Sequence, residues 1–107
     1  MASFNDNKTL ERWALQPKTG VSTTVAVLAN TQSSFSIPEG AMEFTLRPRT
    51  LANTWHWSFL TGHVAGGGGT HMSAGEMLNI DGPLSAQSIY FTSGTTDTFD
   101  VAYLDRG

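Results

Sequence analysis

The chain of 107 residues contains no cysteine, which excludes disulfides, thiolate metal ligands and thiol catalysis. Charged residues are scarce, at 14% of the sequence, where an average soluble domain has about 25%. The six lysines and arginines form no run and the net charge is −3, so the basic stripe that nucleic-acid binding requires is missing. There is no apolar run of bilayer length and no signal-peptide pattern. We therefore expect a protein made in a cytoplasm that binds neither nucleic acid nor a membrane.

Most of the sequence alternates between apolar and polar residues, which is the pattern of half-buried β-strands. Turn residues such as proline and glycine separate the alternating segments. The expected strands lie at 23–29, 34–37, 42–47, 55–59, 76–80, 88–92 and 98–103. About seven short strands with this spacing predict an all-β fold, a small antiparallel β-sandwich of jelly-roll or immunoglobulin-like topology.

The first twenty residues do not alternate in this way. Leu10, Trp13 and Ala14 have helical spacing and Pro17 would end a helix, but the same segment can equally be an extended arm. We therefore divide the chain into an N-terminal arm or short helix, residues 1–20, and a β-sandwich domain, residues 21–107.

The most unusual stretch is HVAGGGGTH, in which four glycines separate His63 from His71. A phosphate-binding loop would need a lysine after the glycines and then a helix, whereas residues 70–80 read as strand. A zinc site would need His56 as a third ligand and a stiff scaffold, which a tetraglycine does not provide. We interpret the stretch as a mobile loop between two strands, of the kind that contacts neighbouring molecules.

Three aromatic residues, Trp55, Trp57 and Phe59, fall on one face of a single expected strand. An exposed aromatic face can bind sugars or bases by stacking. The alternative, which we favour, is that this face belongs to the core, because Trp and Phe are strand-forming residues that bury large areas. His56 would then point outwards.

No constellation of residues indicates catalysis. The carboxylates flank turns without forming a facing pair, and a serine hydrolase elbow is missing. A small hydrolase using His56, His63 or His71 therefore has no supporting motif, and we predict no catalytic residue, no metal site and no cofactor. Arg47 and Arg49, on either side of Pro48, form a basic pair that could meet an acidic partner surface.

The order of turns and strands between residues 35 and 104 is more informative than any single motif. It runs through SIPEGA, an FTLR strand, the Trp-rich strand, SAGEM, DGPL, IYFTSGT and finally FDVAYL. This order resembles small all-β structural proteins of tailed bacteriophage virions. The resemblance covers about two thirds of the chain and implies a homo-oligomeric protein, a dimer or trimer, that decorates or cements the capsid by binding the major capsid protein.

The resemblance also implies that the protein is not an enzyme and resides in the virion after synthesis in the host cytoplasm. The alternative function is a tail- or fibre-associated module that recognises carbohydrate through exposed aromatic residues. The expected partner contacts are Phe4, Leu10, Trp13 and Leu15 in the arm, and Arg47, Arg49, His63, Gly67, Gly68 and His71 on loops and surface.

Overall fold

The computed structural model describes residues 19–64 and 67–105, and this part of the chain is all-β. Its eight strands are β1 (Thr19–Val27), β2 (Ser33–Ile37), β3 (Met42–Pro48), β4 (Trp55–Ser58), β5 (Thr70–Met72), β6 (Leu78–Ile80), β7 (Gln87–Ser93) and β8 (Asp97–Asp105). They form two four-stranded antiparallel sheets, sheet A in the order β1-β8-β3-β6 and sheet B in the order β2-β7-β4-β5. The prediction of a small antiparallel β-sandwich is confirmed.

The strand order distinguishes between the two topologies that the sequence left open. Four antiparallel pairs join β1 to β8, β2 to β7, β3 to β6 and β4 to β5, as if one long two-stranded ribbon had been rolled up. Two further pairings, β3 with β8 and β4 with β7, complete the sheets. This arrangement is a jelly roll.

The core lies between the two sheets, and all eight strands contribute inward-facing residues to it. The Trp55 ring, for example, packs edge-on against the Phe99 ring, with 5.3 Å between their centroids. The buried cluster contains Val27, Ile37, Ala41, Phe44, Leu46, Trp55, Met72, Leu78, Ile89, Phe91, Phe99 and Val101. The period-two pattern of the sequence therefore placed most of the core correctly.

One stretch that reads as a single extended segment, residues 70–80, is two strands. A turn separates β5 from β6, and it is stabilised by the N–H of Ser73, which donates to Oε1 of Glu76 at 2.9 Å. Each of the two strands is only three residues long. The sandwich consequently has eight strands rather than about seven.

Strand β3 departs from the strict alternation that the sequence suggests. Its register with β8 shifts between Met42 and Thr45, and Glu43 has a φ of +52°, which marks a β-bulge. Because of this extra residue, Met42 lies opposite Leu104 and is only half-buried, whereas Phe44 is fully buried.

Candidate partner-binding surfaces

The loops divide between the two ends of the sandwich because successive strands run in opposite directions. The connections β1–β2, β3–β4, β5–β6 and β7–β8 share one end. We call this the loop end, which comprises residues 28–32, 49–54, 73–77 and 94–96. The other three connections and the start of β1 belong to the opposite end.

Asp97, the first residue of β8, ties the loop end together. Its Oδ2 accepts hydrogen bonds from the N–H of Thr50 and from Nδ2 of Asn53, both at 3.1 Å, and its Oδ1 accepts one from the N–H of Thr98 at 2.7 Å. Burial alone would raise the pKa of this carboxyl. The hydrogen bonds from Asn53, Thr98 and Thr50 outweigh that effect and hold the pKa of Asp97 below its ordinary value of 3.8.

Backbone hydrogen bonds between loops add to this bracing. The N–H of Gly75 donates to the carbonyl of Asn53 at 3.3 Å, which joins the β5–β6 turn to the β3–β4 loop. The N–H of Asn30 donates to the carbonyl of Ser93 at 2.8 Å, which joins the β1–β2 loop to the end of β7. The loop end is therefore a cross-linked platform rather than a set of independent loops.

This platform exposes three large apolar side chains, each from a different loop. Leu28 is 63% exposed, Leu51 is 66% exposed and Met77 is 41% exposed. Exposed apolar residues that share one end of a small domain are typical of protein-binding surfaces. The sequence analysis missed them, although Leu51 gave a signal, since it is a large apolar residue inside the turn segment RTLANT, where no strand requires it.

The arm residues expected to bind a partner, namely Phe4, Leu10, Trp13 and Leu15, lie outside the described residues, as does the choice between helix and extended arm. Strand β1 begins at Thr19. Thr19 and Gly20, which the sequence analysis assigned to the arm, are therefore its first residues.

The two arginines of the expected basic pair differ in their surroundings. Arg47 is exposed on the outer face of sheet A. Arg49 donates through Nε to both carboxylate oxygens of Asp100, at 3.1 and 3.4 Å. The structure therefore leaves Arg47 as the more available of the two for an acidic partner.

The glycine-rich stretch belongs to the β4–β5 connection, residues 59–69, as expected, but its described part is packed rather than loose. It folds back so that Val64, 1% exposed, lies against the outer face of sheet B. The N–H groups of Gly67 and Gly68 donate to the carbonyls of Val64 and His63, at 3.0 and 3.1 Å. Gly69 passes so close to β4 that a Cβ there would lie 2.5 Å from the carbonyl oxygen of Trp57.

The three histidines lie on or beside the outer face of sheet B. His56 and His71 are cross-strand neighbours whose rings are 4.8 Å apart, and Nδ1 of His63 is 3.1 Å from Oγ of Ser58. Ser58 is buried and its Oγ also accepts a hydrogen bond from the N–H of Leu60 at 3.0 Å. This hydroxyl therefore stabilises a turn and is not an exposed nucleophile.

Both tryptophans of β4 contact the core, but they differ in burial. Trp55 is fully buried, as the core interpretation predicted. Trp57 is half-buried and packs edge-on against the more exposed Phe59, with 5.3 Å between ring centroids. The indole N–H of Trp57 is buried and has no hydrogen-bond partner among the described residues.

No family model fits the chain, and no curated sequence is significantly similar to it. Among residues 19–64 and 67–105, no group of three His, Cys, Asp or Glu side chains could hold a metal ion. In the same residues no helix has the length and hydropathy that crossing a membrane requires. The function must therefore be argued from the surfaces described above.

Proposed function

We propose that this chain is a non-enzymatic structural protein of a bacteriophage virion, a capsid decoration or cement protein that binds the major capsid protein and stabilises the shell. The observation that carries the proposal is the braced loop end with its exposed Leu28, Leu51 and Met77. Because hydrogen bonds already fix these loops, a partner can cover the apolar side chains without a large cost of ordering them. Each contact would be modest, but many copies on a symmetric shell would together stabilise the shell substantially.

Two further properties support a binding role over an enzymatic one. The sequence has few charges, and its order of strands and turns resembles small virion proteins. In addition, Ser58 and His63, the one close serine–histidine pair among the described residues, serve to fix a turn and the loop that follows it. Such a protein would be made in the host cytoplasm, would need no cofactor and would function in the virion.

Co-sedimentation with empty capsid shells of the phage that encodes the chain tests the loop end. We expect Leu51→Ser to weaken shell binding by about tenfold or more, because a central apolar contact would be lost. Leu60→Ser is the matched control, since Leu60 is equally exposed at 66% but lies in the β4–β5 loop. Equal effects of the two substitutions, or binding unaffected by either, would contradict this assignment.

Deletion of residues 1–17 tests the contribution of the arm. The deletion leaves every strand from β1 to β8 intact, so the truncated chain should fold. We expect it to bind shells poorly because Phe4, Leu10, Trp13 and Leu15 are lost together. Full shell binding by the truncated chain would remove the arm from the proposal while leaving the loop end to be tested separately.

The alternative, carbohydrate recognition in a tail or fibre, depends on exposed aromatic rings. With Trp55 buried, the remaining ring platform is the pair formed by Trp57 and Phe59. Glycan binding there would quench the fluorescence of Trp57, and Phe59→Ala would weaken that response. A tryptophan emission that does not change over a panel of glycans would argue against this alternative.

A further inference from the structure

Four strands form the edges of the two sheets, and one of them differs from the rest. β5 and β6 have three residues each and β2 has five, whereas β1 has nine. Proteins usually protect long edge strands from pairing with other chains by charges, prolines or bulges. The sequence of β1, TGVSTTVAV, has no charged residue and no proline, and its register with β8 is unbroken from Thr19 to Val27.

Hydrogen bonding identifies the backbone groups of β1 that point away from sheet A. The N–H of Arg49 donates to the carbonyl of Thr98 at 3.0 Å, so Thr98 directs its backbone groups towards β3. Its neighbour Phe99 must direct its own towards β1, where it faces Val25. Alternation then leaves a different set of β1 residues with their N–H and C=O groups directed outwards, namely Gly20, Ser22, Thr24 and Ala26.

Among the described residues, nothing bonds to the outward-directed groups over most of β1, but its end differs. Oγ of Ser33 donates to the carbonyl of Ala26 at 3.4 Å, where the chain turns from β1 into β2. This contact confirms that Ala26 points away from β8, and it closes that end of the edge. Gly20, Ser22 and Thr24 remain, and all three are exposed.

We propose that β1 is a self-association site, at which it pairs antiparallel with β1 of a second copy of this chain about a two-fold axis at Ser22. In this register Ser22 faces Ser22 of the other copy, and Gly20 faces Thr24 in both directions. All of these residues direct their N–H and C=O groups outwards, so the pairing forms about six inter-chain hydrogen bonds.

The side chains of β1 suit this register. On the face of sheet A that looks towards sheet B, Val21 of one copy comes opposite Thr23 of the other, which is a favourable pair of β-branched residues. With no charged residue in β1, like charges never meet across the axis. A two-fold interface requires such self-complementarity. The result is a continuous eight-stranded sheet made from two copies of sheet A.

The geometry of this dimer has a consequence for the partner. Antiparallel pairing places the loop ends of the two copies at opposite ends of the dimer, so that one dimer can bridge two partner molecules. The bridging rests on the proposed function, whereas the pairing does not. A dimer that does not bind capsid shells would contradict the bridging and leave the pairing of β1 strands unaffected.

Two measurements on the full chain test the pairing. Light scattering over a concentration series should show a monomer–dimer equilibrium with a dissociation constant in the micromolar range. Over the same concentrations, amide hydrogen exchange observed by NMR should slow at Ser22 and Thr24 as the dimer forms. The amides of Val21, Thr23 and Val25 should stay protected at every concentration, because they bond to β8. A chain that remains monomeric to millimolar concentration would overturn the proposal.

Substitutions in β1 give the sharper test. Thr24→Pro removes an outward N–H without affecting the bonds to β8, and we expect it to raise the dissociation constant about tenfold or more. Ser22→Lys and Ser22→Glu each place like charges across the axis and should weaken the dimer, whereas an equimolar mixture of the two should restore it as a heterodimer.

Ser36→Lys is the matched control, because Ser36 is an exposed serine on β2, the edge strand of the other sheet, and it should leave the dimer unchanged. Circular dichroism establishes that each variant is folded. A dimer that tolerates Thr24→Pro and both charged substitutions at Ser22 would show that association uses another surface, and the proposal would fail. The charge-exchange mixture keeps the test decisive even if Thr24→Pro does not fold.

Discussion

The two outer faces of the sandwich follow the same strand plan but differ in what covers them. On sheet B, the β4–β5 connection folds back over the strands, so that Thr92, an outward-facing residue of β7, is buried. On sheet A no described loop lies over the strands, and Thr45 at a comparable central position is half-buried. An open groove crosses sheet A there, with Glu43 and Asp81 among its lining residues.

The difference shows how one loop decides which surfaces are left for partners. Glycine allows the β4–β5 connection to approach the backbone of sheet B closely, and contacts of His63, Gly67 and Gly68 hold the connection in place. Within residues 19–64 and 67–105, sheet A has no such cover, and at the loop end the side chains of Leu28, Leu51 and Met77 stay exposed. The bare face and its long edge strand are consequently where we expect contacts with other molecules.

The largest effect should come from breaking the cover of sheet B. Gly69 has a φ of +85°, and a Cβ there would lie 2.5 Å from the carbonyl oxygen of Trp57. Alanine at this position must therefore accept a left-handed backbone and also displace β4 or the loop. We expect Gly69→Ala to lower the free energy of unfolding by about 3 kcal/mol, measured by chemical denaturation.

Gly62→Ala is the matched control for this substitution. Gly62 also has a positive φ, +78°, but a Cβ there would meet nothing within 4 Å. Gly62→Ala should therefore lower the free energy of unfolding by about 1 kcal/mol, which is the cost of the left-handed conformation alone. If the two variants lose the same stability, the close approach of the loop to β4 contributes nothing and the contrast between the two faces is weakened.

The next effect should appear at the loop end, which both sheets share. Asp97→Asn keeps the size of the side chain but removes its negative charge and one of the two oxygens that accept hydrogen bonds from Thr50, Asn53 and Thr98. We expect a loss of about 2 kcal/mol in the free energy of unfolding. Hydrogen exchange should quicken in the loops of the platform before it quickens under the cover of sheet B.

The lowered pKa of Asp97 predicts that the protein loses stability in acid. Because the folded-state pKa of Asp97 is lower than its ordinary value of 3.8, its contribution to stability is complete above that value and is lost as the pH falls below it through the folded pKa. Denaturation curves of the parent chain and of Asp97→Asn should converge over this acid range. A difference between them that is constant from neutral pH down to pH 2 would contradict this account.

A smaller effect should separate the two faces directly. Oγ1 of Thr92 donates to the carbonyl of Thr31 at 3.0 Å under the cover, whereas Oγ1 of Thr45 donates to the carbonyl of Ala102 at a longer 3.4 Å on the bare face. Thr92→Val should lower the free energy of unfolding by about 1 kcal/mol because it removes a hydrogen bond made by a buried side chain. Thr45→Val should cost less than half of that, and the reverse order in denaturation experiments would show that we have misjudged which face is protected.

The sequence predicts the strands and most of the core because both depend on local alternation. Phe44, Leu46, Phe99 and Val101 are apolar members of the alternating segments 42–47 and 98–103, and they are buried. The bulge at Glu43 was not foreseen, since an extra residue in one strand is defined only by its register with another. The jelly-roll order is likewise a property of long-range pairing, which alternation leaves open.

The sequence does not reveal the loop end, for a related reason. Leu28, Leu51 and Met77 are far apart in the sequence, and only the topology brings their loops to one end. The glycine stretch was expected to be mobile because glycine gives the backbone conformational freedom. At Gly69 the missing side chain permits close packing against β4 instead, and composition cannot distinguish the two.

The smallest effect concerns the arginines on the bare face. The ion pair between Arg49 and Asp100 joins side chains that are 58% and 37% exposed, so water and salt screen it strongly. We expect Arg49→Ala to cost at most about 0.5 kcal/mol in denaturation experiments at low salt, and nothing measurable in 1 M salt. Arg47→Ala is the control, since the described residues show no ion pair for Arg47, and it should leave stability unchanged at either salt concentration. A larger, salt-resistant loss for Arg49→Ala would mean that this pair is shielded from solvent, as it would be if a second copy or a partner covered sheet A, and that result would turn the bare face into an interface in solution.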